Sequence, residues 1–142
     1  MMEPYLRKVQ YYETDRMGIV HHSNYVRWME EARIAFLESI GISFASMEAM
    51  GIVSPVTGLS VDYKKPCTFG DTVEILVEIE KYNGIEFDVR YTMHNRETGD
   101  LLALASSRHC FLVSGRVISL KKQDPALHAS IVAALSDGSG QA

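Results

Sequence analysis

The chain has 142 residues, 46% of them hydrophobic and 23% charged, with a formal net charge of −4 and a pI near 5.7. That length suits one domain with a sizeable core, and the acidic balance argues against nucleic acid or an anionic membrane surface as the main partner. Cys67 and Cys110 lack metal or redox spacing, and neither a targeting segment nor a run of about 18 apolar residues is present, so two reduced thiols and a cytoplasmic location are expected.

Residues 5–12 alternate weakly around Val9, Tyr11 and Tyr12 and read as a first strand. A loop follows, Glu13-Thr14-Asp15-Arg16-Met17-Gly18-Ile19-Val20-His21-His22. Tyr25, Trp28, Met29, Ala32, Ala35, Phe36 and Ile40 then recur in steps of three and four, which predicts a mostly buried helix over residues 24–40. Ser23 or Asn24 is the expected N-cap, and Gly41 followed by Ile42 the expected stop. Asp15, Gly18, His21 and His22 thus precede a helix start, where unpaired N–H groups and the positive dipole end converge. A carboxylate beside that start marks the place for chemistry.

Residues 43–50 predict a helical turn, and the β-branched stretch 52–63, interrupted by Pro55 and Gly58, an edge or bulged strand. Val73, Ile75, Val77 and Ile79 alternate with Glu74, Leu76, Glu78 and Glu80; Ile85 to Met93 repeat the period of two. Asn83-Gly84 between them predicts a type I′ hairpin. A long strand is expected over residues 101–113 and a short one over 117–120. Asp124-Pro125 opens a terminal helix to about residue 135. One domain over residues 1–135 with a flexible tail at 136–142 is expected, of α+β class: five to six antiparallel strands around one long central helix.

The run Tyr-x-Glu-Thr-Asp-x-Met-Gly-x-Val-His-His-x-x-Tyr, from Tyr11 to Tyr25, resembles the signature of hot-dog-fold acyl-CoA thioesterases. It is most similar to the 4-hydroxybenzoyl-CoA thioesterase/YbgC-type branch. Glu30-Glu31-Ala32-Arg33, Val61-Asp62-Tyr63 with Pro66, and Gly70-Asp71 sit at that family's spacing, and the resemblance covers roughly residues 5–120. It implies a hot-dog fold whose subunits join their sheets side by side, as a homodimer or homotetramer with active sites at the interface. It also implies hydrolysis of an acyl- or aroyl-CoA thioester with no metal or other cofactor, coenzyme A entering as part of the substrate. The family's catalytic carboxylate falls on Asp15, and its amide donor to the thioester carbonyl on His22.

Elementary chemistry agrees with that placement. Attack on a thioester builds negative charge on the carbonyl oxygen, and one fixed N–H donor is typically worth about 3 kcal/mol to such a transition state. The carboxylate can activate water as general base or attack directly. Alone, an Asp-x-x-Gly loop is more often a structural turn. The imidazole of His22 ranks second to its amide, His21 reads as a packed or interface residue, and two adjacent histidines lack the spacing and supporting partners of a metal site. Glu30 and Arg33 are expected to form an ion pair at i and i+3. Gly18 and Tyr25 are candidate substrate contacts, as are Lys64, Lys65 and Arg90 for the phosphates of CoA, against the plainer reading of solvated charges. The alternatives are a hot-dog enoyl-CoA hydratase or dehydratase, suggested by Asp15 with His21 and His22, and a non-catalytic acyl-CoA-binding module.

Overall fold

The computed structural model describes residues 3–138, side chains to residue 135. Its main layer is a five-stranded antiparallel sheet in the order β1 (Tyr5–Lys8), β4 (Thr72–Tyr82), β5 (Glu86–Asn95), β6 (Leu101–Cys110), β3 (Val56–Tyr63). The long helix α1 (Ser23–Ser39) packs across one face, so the expected sheet around a central helix is what forms.

The period of two explains that face. Val73, Ile75, Val77 and Ile79 of β4 and Phe87, Val89, Tyr91 and Met93 of β5 are all buried, and Trp28, Met29, Ala32 and Phe36 of α1 close over the same core. Each such side chain contributes about 1.5–3 kcal/mol on leaving water. The opposite face carries cross-strand ion pairs, Arg90 with Glu78 and Glu80, Arg108 with Asp88, and Arg96 with Glu74. They are exposed, so solvent screens them and they add little to stability.

Several elements depart from the expected boundaries, each for a local reason. The first strand stops at Lys8, because the Glu13 carboxylate accepts the Gln10 N–H at 2.8 Å and draws the chain into a 3₁₀ turn over Tyr11–Glu13. Neither Ser23 nor Asn24 caps α1; His22 is the cap residue, in helical conformation and without a side-chain cap bond. The far end matches expectation: Gly41 has φ +88°, its N–H reaches Glu38 O, and Ile42 N–H reaches Leu37 O at 2.8 Å, the paired bonds of a Schellman stop. Ser43 accepts the Ser46 N–H and caps α2 (Phe44–Ala49).

The β4–β5 turn is not type I′, since only Gly84 has positive φ. A bulge between Ile79 and Lys81 shifts the register, and Asn83 acts through its side chain, accepting the N–H groups of Ile85 and Glu86. A two-residue turn with both φ values positive forms instead at Ser114 (53°) and Gly115 (77°). The long strand ends at Cys110; buried Phe111 diverts the chain, and Leu112–Val113 (β7) joins Ile52–Val53 (β2) and Arg116–Val117 (β8) in a small second sheet. Two short helical pieces follow, α3 (Leu120–Gln123) and α4 (Pro125–Gly138). Asp124 accepts the Leu127 N–H as expected of the α4 cap, and that helix continues three residues beyond 135. Residues 139–142 of the expected tail lie outside the described residues. No helix among the described residues is long and apolar enough to cross a membrane.

Candidate active site

The loop before α1 is held by Glu13. Its carboxylate is buried and accepts from Arg7 at 3.0 and 2.9 Å, from Gln10 N–H, and from Trp28 Nε1 at 3.0 Å. Its carbonyl accepts the His21 N–H at 2.9 Å and Asn24 Nδ2 at 3.0 Å. One residue therefore ties β1, the 3₁₀ turn and the first turns of α1 together. A buried carboxylate is tolerable here because every bond opposes its desolvation.

From that anchor the chain makes a tight turn around Asp15. Asp15 N–H donates to Ile19 O at 2.8 Å, Gly18 N–H to Asp15 O at 3.0 Å, and Met17 N–H to Asp15 Oδ1 at 2.8 Å. Gly18 adopts φ +81°, a conformation that costs a side-chain-bearing residue strain, and its carbonyl accepts the Thr68 hydroxyl. The turn is thereby clipped to the segment opening β4. Asp15 is half-buried, with Oδ1 fixed by an amide and no protein donor to Oδ2 among the described residues.

The N–H groups at the start of α1 are unequal. Ser23 N–H goes to His21 Nδ1 at 3.2 Å, Asn24 N–H to His21 O at 3.0 Å, and Tyr25 N–H to His22 O at 3.2 Å. Of these helix-start amides, His22 N–H alone finds no acceptor among the described residues. His22 and Asp15 both line a cavity of about 330 Å³ with Tyr25, Tyr63, Lys64 and Lys65. An unpaired helix-start amide and a half-free carboxylate thus share one wall-to-wall space. A larger cavity of about 420 Å³, between the second half of α1 and β4, contains no such pair; Glu3 is the charged residue in its lining.

The aromatic walls are fixed from behind. Tyr63 donates its hydroxyl to His22 O at 3.2 Å, and its ring meets Tyr25 edge-on with centroids 5.0 Å apart. Tyr25 OH lies 3.4 Å from Cys67 Sγ. Burial pushes the Cys67 thiol up to about 11 and the Tyr25 phenol above its ordinary range, so both stay protonated and neither is a nucleophile. The His21 and His22 rings stack at 4.2 Å, and His21 Nδ1 bonds Ser23 Oγ.

Of the residues singled out in the sequence, Asp15, His22, Tyr25, Lys64 and Lys65 come together around this cavity. Gly18 shapes the turn beside it. Arg90 lies on the far face of the sheet, paired with Glu78 and Glu80. Lys64 pairs with Asp62 and Lys65 with Asp100, both at exposed positions. The Glu30–Arg33 pair does not form: Glu30 faces solvent and Arg33 is buried, while Glu31 takes Arg7 and the Tyr5 hydroxyl. Glu13, Tyr63 and Asn24 are the structural contributors that sequence reasoning passed over. Glu13 stands inside the signature already quoted, which was the available signal.

Residues 9–134 match the model of the thioesterase-like superfamily. The chain belongs to that superfamily. A Bacillus subtilis protein provisionally named acyl-CoA thioesterase YneP is 38% identical over 125 residues, covering 87% of this chain and 90% of its own. The acyl-CoA thioester hydrolase YbgC of Escherichia coli is 30% identical over 126 residues, covering 89% and 90%. The crystal structure of a DHNA-CoA thioesterase from Staphylococcus aureus superposes with a TM-score of 0.91 at 31% identity, covering 99% of this chain and 95% of that one. The hot-dog fold and membership among the thioester hydrolases are thereby established for this thioesterase-like chain.

Proposed function

We propose that this protein hydrolyses an acyl- or aroyl-CoA thioester to the free acid and CoA at the cavity shared by Asp15 and His22. The observation that carries the reading is the unpaired His22 N–H beside the half-free carboxylate of Asp15. The thioester carbonyl oxygen accepts from His22 N–H. The Asp15 carboxylate acts on the carbonyl carbon, either by taking a proton from attacking water or by adding directly to form an anhydride that water opens. In both cases the C–S bond breaks and CoA leaves as the thiolate. The amide meets a charge that exists only as the carbonyl is attacked, so its effect falls on the transition state rather than on substrate binding.

Tyr25 and Tyr63 supply apolar walls for the acyl group. Lys64 and Lys65 stand at the mouth, where a polyanionic cofactor moiety would exchange their single-carboxylate partners for phosphate. A domain over residues 1–135, a homodimer or homotetramer, and action in the cytoplasm complete the reading. Thiol release from a panel of short, long and aromatic acyl-CoAs tests it. At least one substrate should turn over; hydration of crotonyl-CoA without thiol release would instead place the protein among hot-dog hydratases, and binding without turnover among acyl-CoA-binding modules.

A further inference from the structure

We infer that Asn24 is the positioning residue of the carbonyl-binding amide, and that it works by polarising the peptide unit whose N–H is donated by His22; the inference rests on the reading of that amide given above. The peptide joining His21 to His22 has an N–H with no acceptor among the described residues, and His22 lines the cavity. The C=O of that peptide accepts two bonds from one residue, Asn24 N–H at 3.0 Å and Asn24 Nδ2 at 3.3 Å. The other Nδ2 proton goes to Glu13 O at 3.0 Å, which also holds His21 N–H at 2.9 Å. Both protons of the side-chain amide are therefore committed, and the residue is only 8% exposed.

Two donors on a carbonyl draw electron density through the amide, leaving its N–H more positive; such cooperative strengthening is about 10–30% per bond. The residue type matters. Aspartate would turn an acceptor toward two carbonyl oxygens, and alanine would leave the Glu13 carbonyl one donor short and the His21 carbonyl with a single donor. The cap is also unusual. In a capping box a Glu or Gln at the third helical position reaches back to the cap N–H; here that position is Tyr25, whose hydroxyl lies against Cys67, so His22 N–H is left for a ligand. Tyr63 holds the following carbonyl, that of His22, at 3.2 Å, which fixes the neighbouring peptide without consuming the open donor.

A polarised donor matters most when charge develops on the acyl oxygen, so the effect belongs to kcat and not to KM. The test compares wild type, Asn24→Ser and Asn24→Ala, each shown to be folded by circular dichroism at the assay temperature, with the best acyl-CoA of the panel. Two unreactive CoA analogues are titrated alongside, a thioether with no carbonyl and a trifluoromethyl ketone whose hydrate mimics the oxyanion. Asn24→Ala should lose about 2–5-fold in kcat with KM unchanged, and ketone affinity should fall in parallel while thioether affinity holds. Asn24→Ser, which keeps one donor, should fall between. Equal losses in kcat and thioether affinity would make Asn24 a fold clamp only, and unchanged kcat would remove any role. A wild type that releases no thiol from any acyl-CoA would remove the functional reading itself, a different outcome from active wild type with equally active variants.

Discussion

At the scale of single residues, Glu13 is the part of the site whose loss should be felt first as instability. Replacing it by Gln keeps the shape but leaves Arg7, only 17% exposed, without its buried carboxylate. Arg7 keeps Glu31 as a partner, so the loss is that of the charge-assisted bonds to Glu13, about 1.5–3 kcal/mol; Glu13→Gln should lower the urea midpoint with the m-value unchanged, and a midpoint equal to wild type would contradict the role assigned to it. His109 makes the second residue-scale prediction. It is fully buried, stacks on Phe87 at 4.8 Å and bonds Ser107 Oγ through Nε2 at 2.7 Å. Burial, aided by the nearby Arg33 charge, pushes it down to about 4 from an ordinary 6.5. The unfolded chain therefore binds the extra proton between those values, and stability present above about pH 6.5 falls as the pH drops toward 4, by roughly 3 kcal/mol in all. Urea titrations at pH 7 and 4.5 should show that loss, and His109→Phe should flatten the difference; an unchanged slope would contradict it. Asp15 was legible because a carboxylate, a glycine turn and a helix start are adjacent in the chain. Glu13 and Asn24 were not, because Glu13 acts on Arg7 and Trp28, and Asn24 reaches back to carbonyls, by contacts that exist only once the chain has folded.

At the scale of elements, what could be read was what repeats. The alternation in β4 and β5 and the three-and-four spacing in α1 each describe a buried face, and burial is the largest force acting on them. Turns were less readable, since they depend on register. Asn83-Gly84 carries the stronger type I′ signal, yet the bulge at Ile79/Lys81 changes the geometry it must close, and Ser114-Gly115 takes the positive φ pair instead. The end of α1 is the exception, because a glycine at the C′ position is required by its own backbone angle. Gly41→Ala meets no neighbouring atom within 4 Å, so its cost is the left-handed conformation alone, about 1 kcal/mol. Thermal unfolding should shift down by a few degrees, and a shift of zero would mean that the stop tolerates a side chain.

At the scale of the whole molecule, β3 is the unfinished part. It bonds β6 on one side and forms the sheet edge on the other, with Val56, Leu59 and Tyr63 each 45–50% exposed. Pro55 and Gly58 are why residues 52–63 read only as an edge or bulged strand. An open apolar edge is a template for another strand, and pairing with β3 of a second copy under two-fold symmetry would bring each subunit's Tyr63 and its cavity to the junction. Leu59→Asp should therefore yield a smaller species in sedimentation velocity and a matching loss of thiol release. An unchanged assembly would place any subunit contact elsewhere.

In the proposed reaction Asp15 performs the chemistry, and this is tested most directly by kcat/KM for wild type and Asp15→Asn on the best acyl-CoA, with the melting temperature of each. Asparagine keeps the Met17 N–H bond and the size of the side chain but neither takes a proton nor adds to the carbonyl. kcat/KM should fall at least about 100-fold with the fold intact. Turnover within about twofold of wild type would contradict it and move the catalytic carboxylate away from this loop.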